Sequence, residues 1–169
     1  AVNRSRVLPA RLLGKKRTGG KVELLLVREL SPGNWTAIAS GAKPGVVVDL
    51  AEGWTVRLSA PSSGEWPCLF SGTEVRAFLE RNGLPPLPPY ILKRRQGRGA
   101  ASEDDASAYQ TVYAGEEGSI AAPTAGLHFT PALLERLSAA GVGRAEVLLH
   151  VGPGTFRPVL SEDIREHRM

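Results

Sequence analysis

Short apolar runs broken by turn residues fill the first half of the chain. Residues 7–13, 22–27, 35–39, 46–50, 54–58 and 66–70 are rich in Val, Leu, Ile or Trp. Gly19-Gly20, Ser31-Pro32-Gly33-Asn34, residues 41–45 and Pro61-Ser62-Ser63-Gly64 punctuate them with residues that favour tight turns. Trp54, Val56 and Leu58 alternate with Thr55 and Arg57, the period-two pattern of a half-buried strand. Short strands at close, regular spacing predict a small antiparallel barrel or sandwich. Trp35, Trp54 and Trp66 are most simply its core, while an exposed Trp could instead stack on a base.

The pattern then changes. Val75, Phe78 and Leu79 share one helical face behind Thr73, a candidate cap, and Asn82-Gly83 ends the helix. Pro85-Pro86-Leu87-Pro88-Pro89-Tyr90 lacks most of its amide donors, so it reads as a stiff extended hinge into a second unit. That unit alternates helix and strand. Glu103-Asp104-Asp105 favour a helix N-terminus through the macrodipole, with Tyr109 and Tyr113 one turn apart. A further helix is capped by Thr130, starts at Pro131, turns Leu133, Leu134 and Leu137 inward and stops at Gly141. Val147-Leu148-Leu149-His150-Val151 is continuously apolar around one His and predicts a buried strand. The fold class is α/β plus β.

Composition narrows the classes. A chain of 169 residues, 42% of them hydrophobic, holds one good-sized domain or two small ones. No run approaches the roughly 18 apolar residues of a membrane span, and Ala1-Val2-Asn3-Arg4 does not open a signal peptide. The chain lacks an initiator Met and stops in charged sequence at Met169, so both ends read as cuts. One cysteine, Cys68, can form no internal disulfide and fits a reducing cytoplasm. No spacing among Cys68, His128, His150, His167 and the acids suggests a metal site. The net charge is +4, unevenly spread. Arg4, Arg6, Arg11, Lys15, Lys16, Arg17 and Lys21 follow one another without an acid, and Lys93-Arg94-Arg95 with Arg98 forms a second cluster. Such blocks suit a phosphate-backbone partner, and each alone suits a solvated face equally well.

Two loops carry candidate chemistry. Ala121-Ala122-Pro123-Thr124-Ala125-Gly126-Leu127-His128-Phe129 precedes a capped helix, where small residues admit a ligand to the backbone. His150-Val151-Gly152-Pro153-Gly154-Thr155-Phe156 follows a predicted strand, the place where α/β folds hold small ligands. A histidine beside apolar residues is more often a core residue than a catalyst. Two of them, each flanking a glycine-rich loop, tilt the balance towards chemistry.

The strings Tyr109-Gln110-Thr111-Val112-Tyr113, residues 121–129, and residues 150–156 followed by Arg157-Pro158-Val159 carry a resemblance. With Arg6-Val7-Leu8-Pro9-Ala10-Arg11-Leu12 and Pro86-Leu87-Pro88-Pro89-Tyr90-Ile91 upstream, they resemble the S-adenosylmethionine:tRNA ribosyltransferase-isomerases of queuosine biosynthesis. The motifs span nearly the whole chain. Two departures stand out: Asn3-Arg4-Ser5-Arg6 replaces a usual Asn-Asn-Thr-Arg, and family members are about twice as long.

The resemblance implies a larger α/β domain (residues 1–9 and 86–169, incomplete in this chain) with a small β-barrel, residues 10–85, inserted in it. It implies S-adenosylmethionine as a ribosyl-donating substrate, with no bound cofactor. The acceptor would be tRNA bearing 7-aminomethyl-7-deazaguanine at the wobble position; adenine and methionine leave, and epoxyqueuosine forms. A cytoplasmic, non-membrane protein, monomeric when full length, is expected. His128 and His150 become candidates for base and acid because His titrates near working pH. Gly126, Gly152, Gly154 and Thr155 would admit the nucleoside, Thr124 would hydrogen-bond it, and Tyr109 and Gln110 follow as second candidates. Arg4, Arg6, Arg11, Lys15, Lys16, Arg17 and Lys21 are the candidate tRNA contacts. The competing classes are a non-catalytic tRNA-binding or scaffold piece of the same enzyme, and a small-ligand-binding α/β protein.

Overall fold

A computed structural model describes residues 1–88, 91, 103–156 and 165. The chain divides into two compact units, Ala1–Leu8 with Leu87–Met169, and Pro9–Pro86. Two short strands of the first unit, β1 (Val2–Asn3) and β2 (Ser5–Val7), precede the second.

The Pro9–Pro86 unit is a closed antiparallel barrel. Its strands are β3 (Arg11–Lys16), β4 (Lys21–Ser31), β5 (Asn34–Ser40), β6 (Val47–Asp49), β7 (Thr55–Leu58) and β8 (Trp66–Phe70). The order round the barrel is β3-β4-β5-β8-β7-β6, and β6 closes on β3 through Lys15 opposite Asp49 and Lys16 opposite Val48. Alternation sends every second side chain inward: Val22, Leu24 and Leu26 of β4, Val48 of β6, and Val56 and Leu58 of β7 are all buried. Each such burial contributes about 1.5–3 kcal/mol before the entropy of ordering is counted. Of the tryptophans only Trp35 is fully buried, at 1% exposure; Trp54 and Trp66 are half-buried, a correction to an all-tryptophan core.

Helix α1 (Val75–Asn82) buries Val75, Phe78 and Leu79, and Trp54 stacks on Phe78 with ring centroids 4.7 Å apart. Its N-cap residue is Glu74, without a side-chain cap. Thr73 therefore does not cap: it stands one position too early for its hydroxyl to meet the free amides of the first turn. At the far end Glu52 accepts from Arg81 and Asn82, and these bonds hold its carboxyl below the usual range.

Cys68 lies inside the barrel, where burial pushes its thiol up to about 12. The thiolate is the reactive species, so Cys68 is inert at neutral pH. At pH 8 a thiol reagent is expected to label the native chain at least about a hundredfold more slowly than the urea-unfolded chain. Equal rates would mean that the barrel does not close over this residue.

In the other unit the chain's first residues run between two partners. Strand β2 pairs in parallel with β9 (Glu116–Ser119), and β1 with β10 (Glu146–Val147). Arg4 sits where the partner changes: its amide donates to the Val147 carbonyl at 3.0 Å, and its carbonyl accepts from Gly115 at 2.8 Å. Val7, Leu87, Tyr109 and Ala122 form a buried cluster, with Ile91 packed against it. Helices α2 (Glu103–Ala108) and α3 (Pro131–Ala139) complete the described elements, with 3₁₀ turns at Thr124–Gly126 and Pro153–Phe156. The α3 cap forms as expected, Thr130 Oγ1 accepting from the Leu133 amide at 3.1 Å.

Two expectations fail here. Helix α2 ends at Ala108, so Tyr109 and Tyr113 are not on it; the Gln110 amide is drawn off to pair with β2. The run 147–151 is not a buried strand. Strand β10 has two residues, and Val147, Leu148 and Leu149 are 40%, 36% and 63% exposed. Apolar composition sets what a strand tends to bury, but a covering surface must exist, and no described segment supplies one. Among the described residues no helix is long and apolar enough to cross a membrane. Arg157, Pro158, Val159, His167 and the Lys93-Arg94-Arg95-Arg98 cluster lie outside the described residues.

Candidate active site

His150 is exposed as a residue, yet the backbone on both sides of it is held. The Asn3 side chain bonds Leu149 twice, Nδ2 donating to its carbonyl at 2.9 Å and Oδ1 accepting from its amide at 3.0 Å. The Val151 amide donates to Ser119 Oγ at 2.8 Å, and the Val151 carbonyl accepts from Ile120 at 3.0 Å. Ser119 Oγ also bonds Ser5 Oγ, and both serines are fully buried. The imidazole then lies on Gly118. A Cβ built there would stand 2.4 Å from Cε1 and 2.5 Å from Nδ1, at a φ of +151°. Only glycine gives the ring this seat.

His128 is exposed beside Phe129, their rings 4.3 Å apart. Phe129 in turn meets Tyr113 edge-on at 6.0 Å. Gly126 is buried because the Tyr113 hydroxyl fills its side-chain space, 2.0 Å from where a Cβ would be. In this structure that glycine therefore admits a tyrosine. Gln110 holds the neighbouring turn: Oε1 accepts from the Val7 amide at 3.0 Å and Nε2 donates to the Val7 carbonyl at 2.8 Å. Tyr109 is 4% exposed in the core. Thr124 is exposed at the head of its 3₁₀ turn, Gly152 is exposed with open space at its α-carbon, and Gly154 is half-buried. The Thr155 side chain lies outside the described residues.

One continuous segment thus serves both histidines, meeting His150 at Gly118 and carrying His128 ten residues later. No hydrogen bond or ring contact joins the two among the described residues. Asn3, Ser119 and Gly118 were not singled out from sequence. Asn3 stood in a recognisable string, but its bond to Leu149 spans 146 positions, which no local pattern reveals.

The basic stretch separates into two kinds of residue. Arg4 bonds Glu116, with Glu146 4.0 Å from its Nε. Arg6 lies 4.0 Å from Glu117, and Arg11 grips Glu23 through two bonds of 2.7 and 3.1 Å. Lys15, Lys16, Arg17 and Lys21 have no ion-pair partner among the described residues. They surround a cleft of about 770 Å³ on the barrel, at its β3–β4 end.

One unit that is a β-barrel with a basic hairpin and another that is α/β with two histidine-bearing loops define a two-unit α/β-plus-barrel protein. The chain belongs to the queuosine biosynthesis family, whose description, "Queuosine biosynthesis protein", matches residues 1–169. It is similar to proteins named S-adenosylmethionine:tRNA ribosyltransferase-isomerase from Geotalea uraniireducens (47% identical, 99% of this chain, 49% of that one). The relative of the same name from Rhodospirillum rubrum is 49% identical over 99% of this chain and 48% of its own. The chain spans about half the length of these curated relatives. A solved structure of an S-adenosylmethionine tRNA ribosyltransferase from Thermotoga maritima is 26% identical, with a TM-score of 0.40, covering 88% of this chain and 39% of that one.

Proposed function

We propose that a protein carrying this sequence transfers the ribosyl group of S-adenosylmethionine to tRNA. The acceptor is the aminomethyl group of a 7-deazaguanine at the wobble position. Isomerisation of the ribose gives epoxyqueuosine, and adenine and methionine leave. S-adenosylmethionine is a consumed substrate, with no resident cofactor or metal, and the tRNA acceptor makes the reaction cytoplasmic. The observation that supports this most is the held His150 loop, in a chain matched along its whole length by the queuosine family.

The chemistry needs a base for the proton beside the sulfonium and an acid for the departing adenine. We assign these roles to His128 and His150: both are exposed, and an imidazole can accept a proton at one nitrogen and donate one from the other. The clamp from Asn3 and Ser119 makes the His150 backbone a fixed platform, which is what positioning of a reacting proton requires. Thr124 and Gly152, both exposed, are assigned to the nucleoside, together with Gly154 and Thr155 of the following 3₁₀ turn.

A second reading is favoured by the exposed Leu149 and the half-length match: a non-catalytic tRNA-binding or scaffold portion of such an enzyme. Adenine release from S-adenosylmethionine, with tRNA carrying the aminomethyl-deazaguanine base, separates the two. Acceptor-dependent release establishes the catalytic reading for the chain. No release, beside an active full-length relative, leaves the binding portion.

A further inference from the structure

We propose that the β3–β4 end of the barrel is a docking surface for the RNA backbone, with Lys15, Lys16, Arg17 and Lys21 contacting phosphates. The choice of RNA rests on the tRNA acceptor proposed above; the surface itself rests on charge and geometry.

The seven cations of the stretch differ in their partners. Arg4, Arg6 and Arg11 face carboxylates, whereas the four hairpin cations gather round one cleft. Two acids line the same cleft, Glu23 and Asp49. Glu23 is already neutralised by Arg11, so four cations face one remaining carboxylate. Lys15 and Lys21 are directly opposite in the β3–β4 ladder. Asp49, opposite Lys15 in the β3–β6 ladder, offsets part of the repulsion between the two lysines, and a bound phosphate would offset the rest. A merely solvated face gains nothing from the arrangement.

The hairpin is also a firm support. Lys16 donates to the Gly20 carbonyl and Gly19 to the Lys16 carbonyl, both at 2.8 Å, so the cations project from a closed turn. Beside them Leu13 is 51% exposed, and Leu50 lines the cleft. Phosphates next to an apolar floor match a nucleic acid, whose sugars and base faces lie beside its charges. An acidic peptide presents carboxylates without such flat faces, which is why RNA is the favoured partner.

The test uses the 169-residue chain and unmodified tRNA, with Kd measured across a salt series. Each phosphate contact contributes about 0.7–0.9 to the log Kd–log salt slope. Replacing Lys15, Lys16, Arg17 and Lys21 together by Gln is expected to lower that slope by about three. The Arg4→Gln, Arg6→Gln pair should change it by less than about one, since those side chains are committed to carboxylates. Circular dichroism should show the hairpin variant still folded, with a melting temperature close to the parent's, because the Lys15–Lys21 repulsion and the Lys15–Asp49 attraction are lost together. An unchanged slope in the folded hairpin variant overturns the proposal, as does failure of the parent to bind tRNA at about 50 mM salt. Polyglutamate competing as well as tRNA would assign the surface to an acidic protein and overturn it too. The adenine-release assay stands apart. Hairpin-dependent tRNA binding without release sinks the catalytic reading alone, and release with hairpin-independent binding sinks the docking surface alone.

Discussion

Gly83→Ala is expected to destabilise the barrel unit by at least about 3 kcal/mol, the upper range for forcing atoms into a packed site. Gly83 has an ordinary extended conformation, with φ of −76° and ψ of 149°, so left-handed geometry is not the issue. Space is. A Cβ there would stand 1.9 Å from the Pro9 carbonyl oxygen and 2.6 Å from that of Leu79. Both obstacles are backbone, and both belong to structure that cannot yield cheaply. The Leu79 carbonyl accepts the amide that closes α1, and Leu84 next door exchanges two hydrogen bonds with Arg11 at the start of β3. Moving Gly83 therefore loosens the helix exit and the barrel's first strand together. For a unit of this size the melting temperature should fall by roughly 12–24 °C. Gly126→Ala is the contrasting case. Its nearest obstacle is a tyrosine hydroxyl, a side-chain tip that can swing aside, so its cost should be nearer 1 kcal/mol. A thermal melt of Gly83→Ala within about 4 °C of the parent would refute the packing argument.

The barrel was legible in the sequence because its information is local. Alternation in Val22, Leu24 and Leu26 fixes which face is inside, and turn residues mark where strands reverse. The cap at Thr130 and Pro131 is equally local. What could not be read depends on distant partners. Tyr109 and Tyr113 looked one helical turn apart, but the side-chain amide of Gln110 between them copies a backbone and pairs with Val7, 103 positions away. The apolar run from Val147 to Leu149 looked buried, and burial belongs to the pair of surfaces, not to one. The basic stretch looked uniform, whereas Glu116, Glu117 and Glu23 decide which of its cations are free. At the candidate site the histidines could be picked out by chemistry, but the residues holding one of them could not. Arg4 shows the same limit: where the family usually has an amide, this side chain bonds Glu116 of β9, with Glu146 of β10 alongside.

In a full-length protein carrying this sequence, His150→Ala should lower acceptor-dependent adenine release by about 10²–10⁴, the usual weight of a positioned acid or base. The sharper result concerns Gly118. Its α-carbon is the surface on which the imidazole rests, and an alanine methyl would fall within 2.4–2.9 Å of three ring atoms. Gly118→Ala should therefore displace His150 and lose most of the same rate, with the imidazole still present in the chain. Because φ is +151°, alanine also strains the backbone, so the single variant alone could not separate displacement from a damaged fold. The double variant does. With His150→Ala in place, the new methyl meets no ring, and Gly118→Ala should remove little further activity. Two changes acting through one group are non-additive in this way, whereas independent damage would multiply. Asn3→Ala tests the clamp from the other side. It frees the Leu149 amide and carbonyl without touching the ring, and should broaden the His150 imidazole signals in NMR while leaving those of His128 sharp. If Gly118→Ala turned over within about threefold of the parent, or if the two losses multiplied, His150 would not be acting from the seat that Gly118 provides.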